Sequence, residues 1–185
     1  MRFKGFTLIE LLIVIAIILI LIAIALPNFL EAQLRAKLTL ARGNMTALRT
    51  ALTSYQIDYK KFPPDEYKGG DYWVWVSLTT PIPYIKTVLP NPFPSKNLPK
   101  NPFSDIDTFA YINWDSLGEP IRSLGLRAGI QWFISSAGPN FLTDFIGFDV
   151  FEYKRVMNGT SRFFYSPTNG TTSSGDLMLT NGAIR

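Results

Sequence analysis

Between Phe6 and Leu26 the chain is apolar at every position except Thr7 and Glu10. Wound as a helix at about 1.5 Å per residue, this run reaches ~30 Å, the thickness of a bilayer's hydrocarbon core. Arg2 and Lys4 precede it, and under the positive-inside rule they stay cytoplasmic while the rest of the chain crosses. Three fates fit such a segment. Ala23-Ile24-Ala25 has the small-residue form of a secretory cleavage site, which would remove the whole run. Against that, the run is long beside a signal peptide's apolar region of about 7–15 residues, and it carries a carboxylate near its start. The second fate is a plain uncleaved signal anchor. The third is a cut between Gly5 and Phe6 that discards the basic leader and keeps the helix.

Glu10 bears on the choice. An acidic side chain inside a spanning helix is costly, about 2.5–3.5 kcal/mol for Asp near the centre on insertion scales. Near one end the cost is lower, but a partner is still needed, and no cation lies within helical reach on its C-terminal side. The nearest positive group is an amine at the segment's own N-terminus or at that of a neighbouring copy. Cleavage after Gly5 creates that amine, and a glycine there lets a protease grip extended backbone without a side-chain clash. Pro27 closes the run, where it removes a backbone donor and predicts a kink.

Lys4-Gly5-Phe6-Thr7-Leu8-Ile9-Glu10-Leu11-Leu12 resembles the prepilin signal of type IV pilins and type II secretion pseudopilins. Glu10 and Pro27 both stand where that family has its glutamate and proline. The resemblance implies that a membrane aspartyl peptidase cuts after Gly5 and methylates the new N-terminal Phe6. It also implies that Glu10 pairs with the Phe6 amine of an adjacent subunit. Such a charge sets axial register, because leaving it buried and unpaired penalises wrong alignments.

From Asn28 to about Tyr59 the pattern becomes amphipathic. Leu34, Leu38, Ala41, Met45, Leu48, Leu52, Tyr55 and Tyr59 recur at helical spacing, with Arg35, Lys37, Arg42 and Arg49 off the stripe. Phe62-Pro63-Pro64 predicts the helix end. The chain thus divides into a leader at 1–5, a transmembrane and polymerisation helix at 6–27, an amphipathic continuation at 28–61 and a head at 62–185. The expected fold is α+β and type IV pilin-like, a long helix packed on a small antiparallel sheet.

In the head, seven prolines between Pro81 and Pro102 exclude long regular elements. Tyr72-Trp73-Val74-Trp75-Val76 reads either as a strand or as a buried helical turn. Strands are predicted at Phe109–Trp114, Ile130–Ser135, Phe148–Val156 and Arg162–Tyr165, with an Asn158-Gly159 hairpin turn. Residues 165–176 read as a polar surface loop or tail. The head resembles the G-type major pseudopilin group more loosely than the anchor resembles the family. Tyr55…Tyr59-Lys60-Lys61-Phe62-Pro63 is similar to that group's end of the long helix. Leu98-Pro99-Lys100-Asn101-Pro102-Phe103 is similar to its proline loop, and Trp132 to Asn140 to its strand and Gly-rich loop. That loop often binds calcium in the group, which makes Asn140, Asp144 and Asp149 candidate ligands here. Calcium needs several hard oxygens close together, and the loop lacks a dense acidic run. Turn carboxylates are the competing reading.

The chain has no cysteine and no histidine, which excludes disulfides, thiolate or imidazole metal sites, a Cys nucleophile and a Ser-His-Asp triad. The net charge is +4, half of it from Arg2 and Lys4, so no nucleic-acid partner is expected. The aromatic residues read as core rather than as a base-stacking platform. Asn44-Met45-Thr46, Asn158-Gly159-Thr160 and Asn169-Gly170-Thr171 fit the glycosylation triplet, a short pattern that arises by chance.

Three function classes follow. The first is a pseudopilin of a type II secretion system, anchored once in the inner membrane with its head in the periplasm and then built into a filament. Its partners are further copies of itself, minor pseudopilins, prepilin peptidase, the inner-membrane assembly platform and, before assembly, membrane lipid. The second is a type IV pilin for adhesion, motility or DNA uptake. The third is an anchored enzyme, for which no convergent catalytic set is visible.

Overall fold

The computed structural model describes residues 5–64, 71–96, 107–117, 119, 121–127, 129–143, 164–166 and 173–181. The chain divides into two units, Met1–Ala36 and Lys37–Arg185.

One helix, α1 (Leu8–Tyr59), begins in the first unit and ends in the second. In the first unit its apolar side chains stand exposed; the large ones from Leu8 to Leu26 are 45% to 85% accessible. A soluble fold does not leave a surface of this kind uncovered. The helix is unbroken through Pro27. Pro27 gives no N–H to the carbonyl one turn back, and Asn28 Nδ2 reaches the Ile24 carbonyl at 3.5 Å. Glu31 and Arg35 form an exposed ion pair one turn apart, a contact worth about 0.3–0.5 kcal/mol.

In the second unit the predicted stripe is the buried face. Leu38, Ala41, Met45, Leu48, Ala51 and Leu52 are buried. The helix stops at Tyr59, short of Phe62-Pro63-Pro64, because Lys60 turns left-handed (φ 59°). Its N–H bonds the Gln56 carbonyl at 2.8 Å, closing the last turn. Tyr59, counted in the stripe from spacing, is exposed.

The aromatic run resolves as a short helix, α2 (Asp71–Ser77). Val74, Trp75 and Leu78, at spacings of three and four, face inward, and Trp73 faces solvent. The Trp75 indole donates to the Phe109 carbonyl at 2.8 Å. Three antiparallel strands follow in the order β1-β2-β3: β1 (Ala110–Asn113), β2 (Trp132–Ser136) and β3 (Leu177–Thr180). Between β1 and β2 lie a 3-10 turn (Trp114–Ser116) and α3 (Ile121–Arg127). Tyr111 pairs with Ile134 across the first ladder, and Ile134 with Leu179 across the second. Every residue of β2 is buried, as expected of a central strand covered on both faces.

β1 and β2 fall where aromatic and β-branched residues predict them; β1 is trimmed at both ends, and β2 starts two residues later than predicted and runs one further, to Ser136. The reading of 165–176 as a surface tail needs correction. Ser173 and Asp176 are buried, and Leu177–Thr180 is the third strand. Polarity misleads there, because these polar groups are enclosed by backbone pairing: Phe164 bridges Asp176, and Tyr165 N–H donates to the Asp176 carbonyl at 3.0 Å. Leu98–Phe103, Phe148–Val156 and the Asn158-Gly159 turn lie outside the described residues, as do Arg162 and Phe163 of the last predicted strand.

Candidate functional site: the helix start and the head's polar clamps

At the start of α1, Thr7 and Glu10 close on each other. Glu10 Oε2 accepts from Thr7 N–H at 2.8 Å and from the Thr7 hydroxyl at 2.6 Å. Glu10 N–H donates to Thr7 Oγ1 at 3.3 Å. This is a reciprocal capping box, satisfying backbone donors that the first turn of any helix leaves free. The Thr-x-x-Glu spacing identifies it in the sequence, and reasoning from charge alone passes over it. Glu10 therefore has a partner inside its own subunit. Gly5 and Phe6 precede the helix, and Phe6 is 73% exposed, so the peptide bond between them lies outside helical hydrogen bonding.

In the head, polar side chains join segments distant in sequence. The Pro63 carbonyl accepts from the Tyr111 hydroxyl at 3.0 Å and from Asn113 Nδ2 at 2.9 Å, holding the helix exit on β1. Buried Asn91 accepts from Phe93 N–H at 3.0 Å and from the Ser136 hydroxyl at 2.6 Å. Asn44 Nδ2 donates to the Pro90 carbonyl at 2.9 Å, tying α1 to the proline-rich segment; this gives the first glycosylation triplet a structural use. At the far end of the helix, Tyr84 donates to Asp58 at 2.6 Å, and that hydrogen bond pushes its phenol up to about 12. Burial, then the neighbouring Tyr59, raises the Tyr55 phenol.

Of the calcium candidates, Asp144 and Asp149 lie outside the described residues. Asn140 directs its side-chain oxygen at Leu142 N–H, 3.1 Å away. Next to it, the Lys37 and Lys96 ammonium groups stand 5.6 and 4.9 Å from the centre of the Phe141 ring. Among the described residues no group of three or more acidic side chains is placed to hold a metal. A groove of about 370 Å³ beside β3 is lined by Arg42, Met45, Thr46, Tyr165 and Asp176 among others.

A family profile described as "Prokaryotic N-terminal methylation motif" matches residues 1–26. The chain is 37% identical over 107 residues to the type IV major pilin protein PilA of Myxococcus xanthus, covering 53% of this chain and 48% of that protein. It is 32% identical over 118 residues to the type II secretion system core protein G of Aeromonas hydrophila, covering 59% of this chain and 82% of that one. A fimbrial protein of Pseudomonas aeruginosa is 48% identical over 58 residues, 31% of this chain and 38% of its own length. The chain thus spans about half the Myxococcus pilin and about four-fifths of the Aeromonas protein. No solved structure matches. These similarities, with the exposed apolar helix and the small antiparallel sheet, define a pilus-like structural subunit. The chain belongs to the type IV pilin and type II secretion pseudopilin family.

Proposed function

We propose that this chain is a major pseudopilin of a type II secretion system. The observation that carries this reading is the match to core protein G, which runs well past the shared anchor into the head and spans 82% of that protein. The absence of cysteine agrees, since no disulfide-closed adhesive loop is possible. In this reading prepilin peptidase cleaves after Gly5 and methylates Phe6. Phe6–Leu26 holds the subunit in the inner membrane with the head in the periplasm, and the same surface then packs against other copies and minor pseudopilins in the filament. The assembly platform drives addition, and the growing filament pushes cargo outward. The subunit performs no chemistry. Glu10 sets register against a neighbour's Phe6 amine, and Pro27 gives the helix a place to bend during packing. A calcium ion near Asn140, Asp144 and Asp149 belongs to the same proposal as a structural ion of the head.

Deleting the gene tests the assignment: secretion of exoproteins is lost while twitching motility persists. The reverse result assigns the chain to a type IV pilus. Mass spectrometry of the mature protein finds its N-terminus at a methylated Phe6; a start at Leu26 would refute processing after Gly5.

A further inference from the structure

The sheet has two outer edges, and they differ. At β1, the Trp75 indole of α2 donates to the carbonyl of Phe109, just before the strand, and caps that edge. β3 is the other edge. Trp114 N–H donates to the Gln131 carbonyl at 2.9 Å, one step beyond the Asn113–Trp132 pair. Hydrogen-bonded pairs alternate along an antiparallel ladder, so Phe133 and Ser135 bond β1, while Ile134 and Ser136 bond Leu179 and Leu177. Met178 therefore turns its N–H and C=O away from the sheet, and among the described residues neither has a hydrogen-bond partner. Leu177–Thr180 contains no proline and no charge, the usual guards of an exposed edge. The chain itself shows that this edge accepts a strand: Phe164 runs parallel to Asp176, and Tyr165 N–H bonds the Asp176 carbonyl at 3.0 Å.

The same edge borders the groove of about 370 Å³ between β3 and α1. Met45 and Leu179 give it apolar walls, and Arg42 stands on the α1 side with no carboxylate at ion-pair distance among the described residues. All of these residues belong to one unit, Lys37–Arg185. A groove between a strand edge and a helix has the build of a β-augmentation site, where main-chain hydrogen bonds hold an extended peptide and alternate side chains enter the groove. The outward N–H and C=O of Met178 select extended backbone as the occupant, and the Arg42 guanidinium selects a carboxylate on it. The chain's own net charge is +4, so a second copy brings mostly like charge. We propose that the β3 edge takes up an extended acidic–apolar strand of a different protein, with its carboxylate on Arg42. The proposal needs only the fold of Lys37–Arg185 and is independent of which filament the chain builds.

The full chain in detergent, grown on isotope-labelled methionine, carries one amide probe at Met178 and another at buried Met45. The ligands tested are fluorescent nonapeptides of alternating threonine and valine with a central Glu, Gln or Lys. The Glu peptide binds with a rise in anisotropy and slows hydrogen exchange at the Met178 amide. The Gln peptide binds roughly threefold more weakly. Arg42→Gln erases that difference, and Arg42→Glu reverses the preference in favour of the Lys peptide. Met178→Pro removes the outward N–H, a change that an edge strand tolerates; binding is lost while the Met45 amide keeps its chemical shift. A Glu peptide N-methylated on alternate amides cannot extend a sheet and does not bind. Failure of the Glu peptide to bind, equal binding of the Glu and Gln peptides, or binding of the N-methylated peptide refutes the proposal. Protection of Met178 that rises with protein concentration alone assigns the edge to a second copy and overturns it as well.

Discussion

The Glu10 carboxylate has two claims on it. Inside the subunit it caps its own helix through Thr7; in the proposed filament it meets a neighbour's amine. Two substitutions separate these roles. Glu10→Gln keeps the reach of a capping side chain and deletes the charge, while Glu10→Ala deletes both. If charge carries assembly, both variants insert and are cleaved, and both fail to form filaments by electron microscopy; a Gln variant that polymerises normally refutes the pairing. Glycines give a contrast of another kind. A Cβ at Gly43 meets nothing within 4 Å, so Gly43→Ala stabilises by up to about 1 kcal/mol. At Gly175 (φ 104°) a Cβ runs into the Phe164 backbone, and Gly175→Ala lowers the melting temperature sharply. Tyr84 supplies the pH dependence. Its folded pKa lies above the ordinary tyrosine value of 10.0, so its contribution is complete below pH 10 and fades as pH rises toward about 12. The expected absorbance titration has one phenol ionising late, near pH 12, and Tyr84→Phe should remove that step.

Among the elements, α1 is the most legible in the sequence and β3 the least. A continuous apolar run followed by a four-and-three stripe leaves few alternatives to one long helix. The stripe also indicates burial correctly from Leu38 to Leu52. The end of the helix is harder to place, because proline announces where a helix must stop, and Lys60 stops it earlier by turning left-handed. β1 and β2 show themselves through aromatic and β-branched residues. β3 does not, because Leu177–Thr180 is short and follows a polar stretch whose burial depends on partners far away in sequence. The polar clamps at Pro63 and Asn91 are illegible for the same reason: composition does not reveal which distant carbonyl an amide will meet. Stability measurements on α1 check the assignment of its faces. Leu48→Ala costs about 2–5 kcal/mol, and Ile57→Ala, at a site 62% exposed, stays within about 0.5 kcal/mol.

At the scale of the molecule, the head holds together without a disulfide, since the chain has no cysteine. Side-chain hydrogen bonds take over part of that duty, and Asn91 joins several segments at once. It links the proline-rich segment to the end of β2 through Ser136, and reaches the Thr108 carbonyl at 3.4 Å just before β1. Asn91→Ala removes these contacts and costs about 1–3 kcal/mol, read as a drop in the head's denaturant midpoint with the anchor still inserted. The candidate site divides in legibility along the same line. Gly5, Phe6, Glu10 and Pro27 sit in a local motif that spacing and charge reveal. The Lys37–Phe141–Lys96 cluster joins residues about a hundred positions apart and becomes visible only in the fold.

The order of the strands bears on how the chain is made. β2 sits between a strand already synthesised and one still to come, and about forty residues separate its end at Ser136 from Leu177. At a synthesis rate of roughly 5–20 residues per second, one flank of β2 waits about 2–8 s for its mate. During that interval a nascent head offers an open strand edge to any other chain emerging nearby. If the head is exported as proposed, machinery that keeps the chain extended until Leu177–Thr180 has crossed would spare it that exposure.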